Sequence, residues 1–429
     1  TTLFRSDADM EFPTVEKPDG EEVEISSSNF TKLLQHQNRD FRKKVHENFY
    51  DEIGDVRNTI GSTLENSTRT HVKTANIRNY STAREASLDS SKIPTEVYDN
   101  LVEVVRDNLD LLHRHSKLKK RSLNVDRLKT WDLYMPLADS ESPEISFDEA
   151  KSHVIEAVSS LGEEYREKVE EALESDGWVD VYENKGKRSG AYSGGSYDSK
   201  PFILMNYQED INSMYTLAHE LGHSMHSYYT NNNQPYIYSG YEIFVAEVAS
   251  TVNEALLTHH LLEEIEDEEF RRHVLSHYLE RFRSTIYRQT MFAEFEQKIH
   301  QKIEDGGALT PDYLDEEYKK LKTEFYEPAL IDEKIVREWM RIPHFYYNFY
   351  VFQYSTGMSA ATALSAHILE GDEEAEKARE RYVDFLKKGG SEYPLELLKD
   401  AGVDMSSKKP IEEALAVYEE YLEKMEKMV

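Results

Sequence analysis

Apolar residues recur every three or four positions along most of this chain, and that period predicts helices. Phe30, Leu34, Phe41, Val45 and Phe49 share one helical face, which predicts a single helix capped by Ser28 or Asn29. In KIPTEVYDNLVEVVRDNLDLLHRH, Pro94 sits near the first helical turn, and Val97, Leu101, Val105, Leu109 and Leu112 form an apolar stripe. The segment ISFDEAKSHVIEAVSSLG opens on Ser146-x-x-Glu149, the pattern of a capping box. Two stretches break the helical period. Residues 12–26 alternate around Pro18-Asp19-Gly20, which predicts a short hairpin. Residues 178–205 carry β-rich runs around a Gly/Ser-rich middle, which predicts two or three short strands. From about 207 onward the pattern is helical again, closing with an amphipathic helix that begins at Pro410. There is no internal repeat and no low-complexity linker.

Composition narrows the function classes. Of 429 residues, 39% are hydrophobic and 31% charged, ordinary for a globular protein large enough to bury a substantial core. The formal net charge of −31 would repel phosphate backbones, so nucleic acid is not an expected partner. Such a surface suits a solvated acidic face, or a salty cytoplasm. No apolar run approaches the roughly 18 residues that cross a bilayer, so no membrane partner is expected. The chain begins at Thr1 without methionine, and no secretory pattern is visible there. The absence of cysteine removes disulfides, thiolate nucleophiles and Cys-ligated zinc together, and fits a cytoplasmic setting.

The densest chemistry lies in TLAHELGHSMHS, residues 216–227. His219 and His223, four apart on a helix, stand one above the other and can grip a single ion. Glu220 can then reach a water held by that ion. Two imidazoles suit zinc, whose charge lowers the pKa of bound water toward 7. A surface helix rich in solvated histidine would show the same motif. Leu217, Ala218, Leu221 and Gly222 weigh against it, because they make the helix largely apolar and place the histidines at buried positions. Gly222 is a poor helix former, which a close-packing role would explain. A catalytic zinc needs a third protein ligand. Glu247, among small and apolar residues in GYEIFVAEVASTVNEALL, is one candidate, since a buried carboxylate needs a partner. His226 is the other. It lies three residues past His223 on the same helix and closes a tetrahedron poorly, so a supporting or structural role suits it better.

Beyond this motif, the chain resembles the thimet oligopeptidase-like zinc metallopeptidases, in their oligoendopeptidase F branch. The resemblance is carried by SGAYSGG…PFILMNY…TLAHELGHSMHS (189–227), FVAEVASTVNE (244–254), YRQTMFAEFE (287–296), IPHFYYNFYVFQYSTG (342–357) and YPLELLKDAGVDM (393–405). It implies a mainly α fold: a large helical metallopeptidase with a deep substrate channel and a small β-sheet next to the HExxH helix. It implies one zinc ion held by His219, His223 and Glu247, with Glu220 as general base. His344, Tyr347 and Tyr350 are the expected donors to the scissile carbonyl, although Tyr346 and Tyr354 fit nearly as well. Gly190, Ala191 and Tyr192 are expected to line the substrate cleft, where small residues let a peptide backbone approach an exposed strand. Residues 1–30 are expected to be the remnant of an amino-terminal region. Residues 31–429 would form the catalytic domain, with 31–145 as a helical channel wall and 146–429 as the zinc-bearing part.

The expected activity is therefore zinc-dependent endopeptidase cleavage of short unfolded oligopeptides. Two other classes stay open on the sequence alone. One is a non-catalytic peptide-binding relative. The other is a zinc carboxypeptidase, which would need a cation such as Arg288, Arg337 or Arg341 to capture a terminal carboxylate.

Overall fold

A computed structural model describes residues 10–138, 142–371 and 373–429. The predicted hairpin is present as β1 (Thr14–Glu16) and β2 (Glu22–Glu24), paired antiparallel with Val15 opposite Val23. Two apolar stripes that predict single helices are each split. Phe30–Leu33 (α1) and Arg39–Asp55 (α2) are separate, because the Asn38 side chain accepts from the Phe41 amide at 2.9 Å and starts a second helix. Likewise Thr95–Asp107 (α3) and Leu109–Ser122 (α4) meet at Asn108, whose side chain donates back to the Val104 carbonyl at 2.8 Å. Pro94 stands just before α3 rather than inside its first turn. At Phe147–Ala157 (α5), Ser146 caps the helix as expected, its hydroxyl accepting from the Glu149 amide at 3.3 Å.

The β-rich stretch forms a three-stranded sheet ordered β3–β5–β4, from Val179–Asp180, Tyr192–Gly194 (β4) and Phe202–Leu204 (β5). β3 runs parallel to β5 and β4 antiparallel to it. Both β4 and β5 lie against the long helix Ile211–Asn233 (α6), which carries the histidine motif. The next helix, Ile243–Glu264 (α7), is apolar almost all round and accordingly buried. It packs most extensively against α6 and against Phe352–Leu369 (α8), a helix rich in Ala, Ser and Thr. These three helices form the centre of one continuous core that runs from Phe12 to Met425.

The crossing of α6 and α7 depends on Gly222. A β-carbon at this position would lie 2.5 Å from Ser250 Cα and 2.6 Å from the Ala249 carbonyl oxygen. Main chain meets main chain there, and no side chain can be moved aside to make room. Polar links run alongside. Asn253 donates to the Ala218 carbonyl at 3.2 Å, and Tyr165 donates to Asn253 at 3.1 Å. Tyr215 and Thr258 share a hydrogen bond of 2.8 Å, and Trp178 donates to Ser224 at 3.0 Å.

Two further helices, Arg288–Glu304 and Pro311–Phe325, are tied to the segment before residue 344 by a buried carboxylate. Glu338 receives Arg288 at 2.7 Å, Lys322 at 2.7 Å and Tyr318 at 2.5 Å. The chain closes with the expected amphipathic helix, Lys409–Glu426, which has Pro410 in its first turn.

The Gly222 contact generates a stability test. Gly222→Ala is expected to destabilise the fold by about 1–3 kcal/mol, the usual cost of overpacking, despite alanine's better helix propensity. Denaturant unfolding measures it; an unchanged or raised midpoint would show that the two backbones separate freely.

Candidate active site

Helix α6 starts at Asp210, whose carboxylate accepts from the Ser213 amide at 2.8 Å. Two turns later His219 and His223 project together, their ring centroids 4.8 Å apart and their planes at 86°. Across the Gly222 crossing, Glu247 brings its Oε2 to 3.5 Å from His219 Nε2 and 3.9 Å from His223 Nε2. One donor atom from each of the three residues lies within 4.8 Å of the other two. All three side chains are partly buried, leaving an open side. Burial, helped by neighbouring His219, pushes the His223 pKa down to about 4, so its lone pair is available at neutral pH. Two imidazole nitrogens and one carboxylate are a donor set that fits a divalent metal such as zinc, with room for a fourth ligand.

Glu254 completes this arrangement, and the motif alone does not identify it. It lies seven residues after Glu247 on α7, two turns along the same face. Its Oε1 stands 2.5 Å from His219 Nδ1 and 2.6 Å from Arg281 Nη2. Burial alone would raise the Glu254 pKa, but Arg281 and His219 hold it down to about 2. The carboxylate therefore stays charged, fixes the orientation of the His219 ring and turns Nε2 toward Glu247. The Glu247-x6-Glu254 spacing is the signal in the sequence that points to it.

Glu220 is 7% exposed, and burial raises its pKa, while His219 and the backbone amide of Ser193 act in the opposite direction. The strand register explains the Ser193 contact. Ile203 and Met205 donate toward the β3 side, so Phe202 and Leu204 face β4, where they stand opposite Gly194 and Tyr192. Ser193 then turns its amide to the outer edge of β4, toward Glu220. Just ahead of it, Gly190 has φ +87°, and its carbonyl accepts from Asn206 at 2.8 Å. Ala191 is partly buried, and Tyr192 stands 55% exposed on the edge strand.

His226 does not join the three donors. It is buried and stacks on Tyr241 at 3.8 Å, and burial pushes its pKa down to about 3. His344, Tyr347, Tyr350 and Tyr354 form one aromatic cluster instead. Tyr354 Oη lies 3.3 Å from His344 Nε2 and 3.4 Å from Tyr350 Oη. Tyr347 stands edge-on to both His344 and Tyr350, and is half exposed. Tyr354 is one helical turn ahead of Gly357, where an added β-carbon would lie 3.7 Å from Glu247 Cβ, and the Glu247 charge acts on the Tyr354 hydroxyl. Tyr346 points its hydroxyl away, to the Ile60 carbonyl at 3.5 Å. The cluster thus includes Tyr354 alongside the three expected residues.

The cations that a carboxypeptidase would need are engaged elsewhere. Arg288 binds Glu338 at 2.7 Å, Arg337 donates to the Tyr50 carbonyl at 2.9 Å, and Arg341 lies 4.9 Å from the ring centres of both Phe30 and Phe49.

Comparison with known proteins matches residues 32–417 to the Peptidase family M3. The chain is 48% identical over 425 residues to oligopeptidase PepF of Bacillus subtilis (strain 168), a match that covers 99% of this chain and 63% of that protein. It therefore spans less than two thirds of that relative's length. It is 44% identical over 423 residues to group B oligopeptidase PepB of Streptococcus agalactiae, covering 98% of this chain and 70% of that one. It is similar in fold to the crystal structure of oligoendopeptidase-F from Enterococcus faecium, with a TM-score of 0.79 and 40% identity over 98% of this chain and 69% of that one.

Losing the carboxylate that orients a metal-binding imidazole commonly weakens metal affinity about 10- to 100-fold. Glu254→Gln is expected to show a loss of that size in a competition titration of zinc against a chelator. Wild-type affinity in this variant would mean that the Glu254–His219 contact does not serve metal binding.

Proposed function

The chain belongs to peptidase family M3, and from that premise we propose that it is a zinc-dependent endopeptidase acting on short unfolded oligopeptides. His219, His223 and Glu247 would hold the one zinc ion. The observation that carries the reading is the meeting of these three donors with Glu220 alongside and Glu254 behind His219. Zinc bound there supplies the positive charge that acidifies water and polarises a carbonyl.

The chain's own residues divide the remaining work. Glu220 takes the proton from the attacking water and delivers it to the leaving nitrogen. Its burial suits that role, because a carboxylate with a raised pKa is a better base near neutral pH. Tyr354, Tyr350, Tyr347 and His344 donate hydrogen bonds where negative charge grows on the carbonyl oxygen. The outer edge of β4, preceded by Gly190 and Ala191, pairs with an extended peptide backbone, and Tyr192 flanks it. No covalent intermediate is needed, which agrees with a chain that has no cysteine. A channel between helical parts would admit short unfolded peptides and reject folded proteins. No helix among the described residues is long and apolar enough to cross a membrane. A chain without cysteine also suits a reducing cytoplasm.

The engagement of Arg288, Arg337 and Arg341 in other contacts favours endopeptidase over carboxypeptidase action. An internally quenched peptide, incubated with the chain and zinc, is expected to be cut equally well with a free or an amidated C-terminus. Glu220→Gln is expected to lower kcat at least about 100-fold while zinc stays bound. Undiminished cleavage in that variant would reject Glu220 as the base, and loss of cleavage on amidation would favour the carboxypeptidase.

A further inference from the structure

The block YRQTMFAEFE ends in a glutamate to which the chemistry above gives no role. Glu296 is fully buried on the helix Arg288–Glu304. No cation pairs with it among the described residues, and its Oε2 has no hydrogen-bond partner there. Its Oε1 accepts the backbone amide of Phe349 at 2.6 Å. A buried carboxyl group with so few partners is costly to keep.

The amide that it accepts lies in a strained turn. Asn348 has φ +52° and Phe349 φ +60°, two consecutive left-handed residues with no glycine. Asparagine tolerates that region; phenylalanine rarely adopts it. The peptide unit between the two is held at both ends. Glu296 accepts its N–H, and the Ser87 hydroxyl donates to its carbonyl, the Asn348 oxygen, at 2.6 Å. The ring of Phe349 is enclosed by His300, 4.4 Å away between centroids, and by Tyr98 at 5.7 Å. Tyr347 lies immediately before this turn and Tyr350 immediately after it.

Building on the peptidase reading, we infer that Glu296 is a positioning residue. Together with Ser87 it clamps the Asn348–Phe349 peptide in its left-handed turn and so sets where Tyr347 and Tyr350 present their hydroxyls. Burial raises the Glu296 pKa to about 8, so the group is largely a neutral acid at neutral pH, and what the turn requires is an accepting oxygen rather than a charge. Glutamine supplies that oxygen in the same place; alanine does not. Without the clamp the turn relaxes toward ordinary dihedral angles, and the two tyrosines move with it.

The test compares the full chain with Glu296→Gln, Glu296→Ala and Ser87→Ala. It measures kcat and KM on an internally quenched peptide, bound zinc, and amide hydrogen exchange across residues 343–351. Glu296→Ala is expected to lose at least tenfold in kcat with KM within about threefold and zinc retained, and its 343–351 segment to exchange faster. Glu296→Gln should stay within about threefold of wild type on every measure. Ser87→Ala should share the faster exchange, with a smaller loss in kcat. A folded Glu296→Ala with wild-type kcat and exchange would overturn the inference, as would a Gln variant as impaired as the Ala variant. If Glu296→Ala does not fold, Ser87→Ala decides: wild-type exchange and kcat there overturn the clamp. If the wild-type chain itself cleaves nothing, the peptidase reading fails separately, and the exchange data still judge the clamp.

Discussion

The site rests on a close approach of two backbones. At Gly222 the helix bearing the histidines touches the main chain of its neighbour at Ser250, with no side chain between them. Only at that separation can a carboxylate on the second helix reach both imidazoles on the first. The same approach carries the Asn253–Ala218 and Tyr215–Thr258 links, which keep the helices from sliding. Three donors from two helices then meet without any loop having to close over them, and their spacing is set by the most deeply packed part of the core.

Two different devices hold the two halves of the site. The histidine half is fixed electrostatically: Arg281 holds Glu254 as a carboxylate, and Glu254 holds His219. The aromatic half is irregular, built on short turns and the start of a helix. Its geometry is held by hydrogen bonds to the backbone, from Glu296 and Ser87, and by the anchoring of the preceding segment through Glu338. Rigid helices thus present the residues suited to a metal, while a clamped turn presents hydroxyls to the space beside it.

What could be read from the sequence follows the same division. His219 and His223 are legible because helical periodicity alone places them together, and Glu247 because a carboxylate in apolar company calls for a partner. Gly222 announces a close contact by being a poor choice for a helix interior. The breaks at Asn38 and Asn108 escape a reading based on periodicity, because the apolar stripe continues nearly in phase through each of them. Glu254 depends on the unused nitrogen of His219, which becomes visible only once the other nitrogen is assigned. Among the tyrosines the sequence cannot choose, because the left-handed turn at Asn348 and Phe349 resets the direction of everything around it, and in HFYYNFYVFQY only Asn348, a residue type that tolerates that region, points to it.

The three-donor site is tested by anomalous diffraction at the zinc edge from crystals of the chain grown with zinc. One strong peak is expected at about 2.0–2.2 Å from a ring nitrogen of His219, a ring nitrogen of His223 and a carboxylate oxygen of Glu247. A peak that leaves Glu247 out of bonding range, or no peak between the two helices, would contradict it.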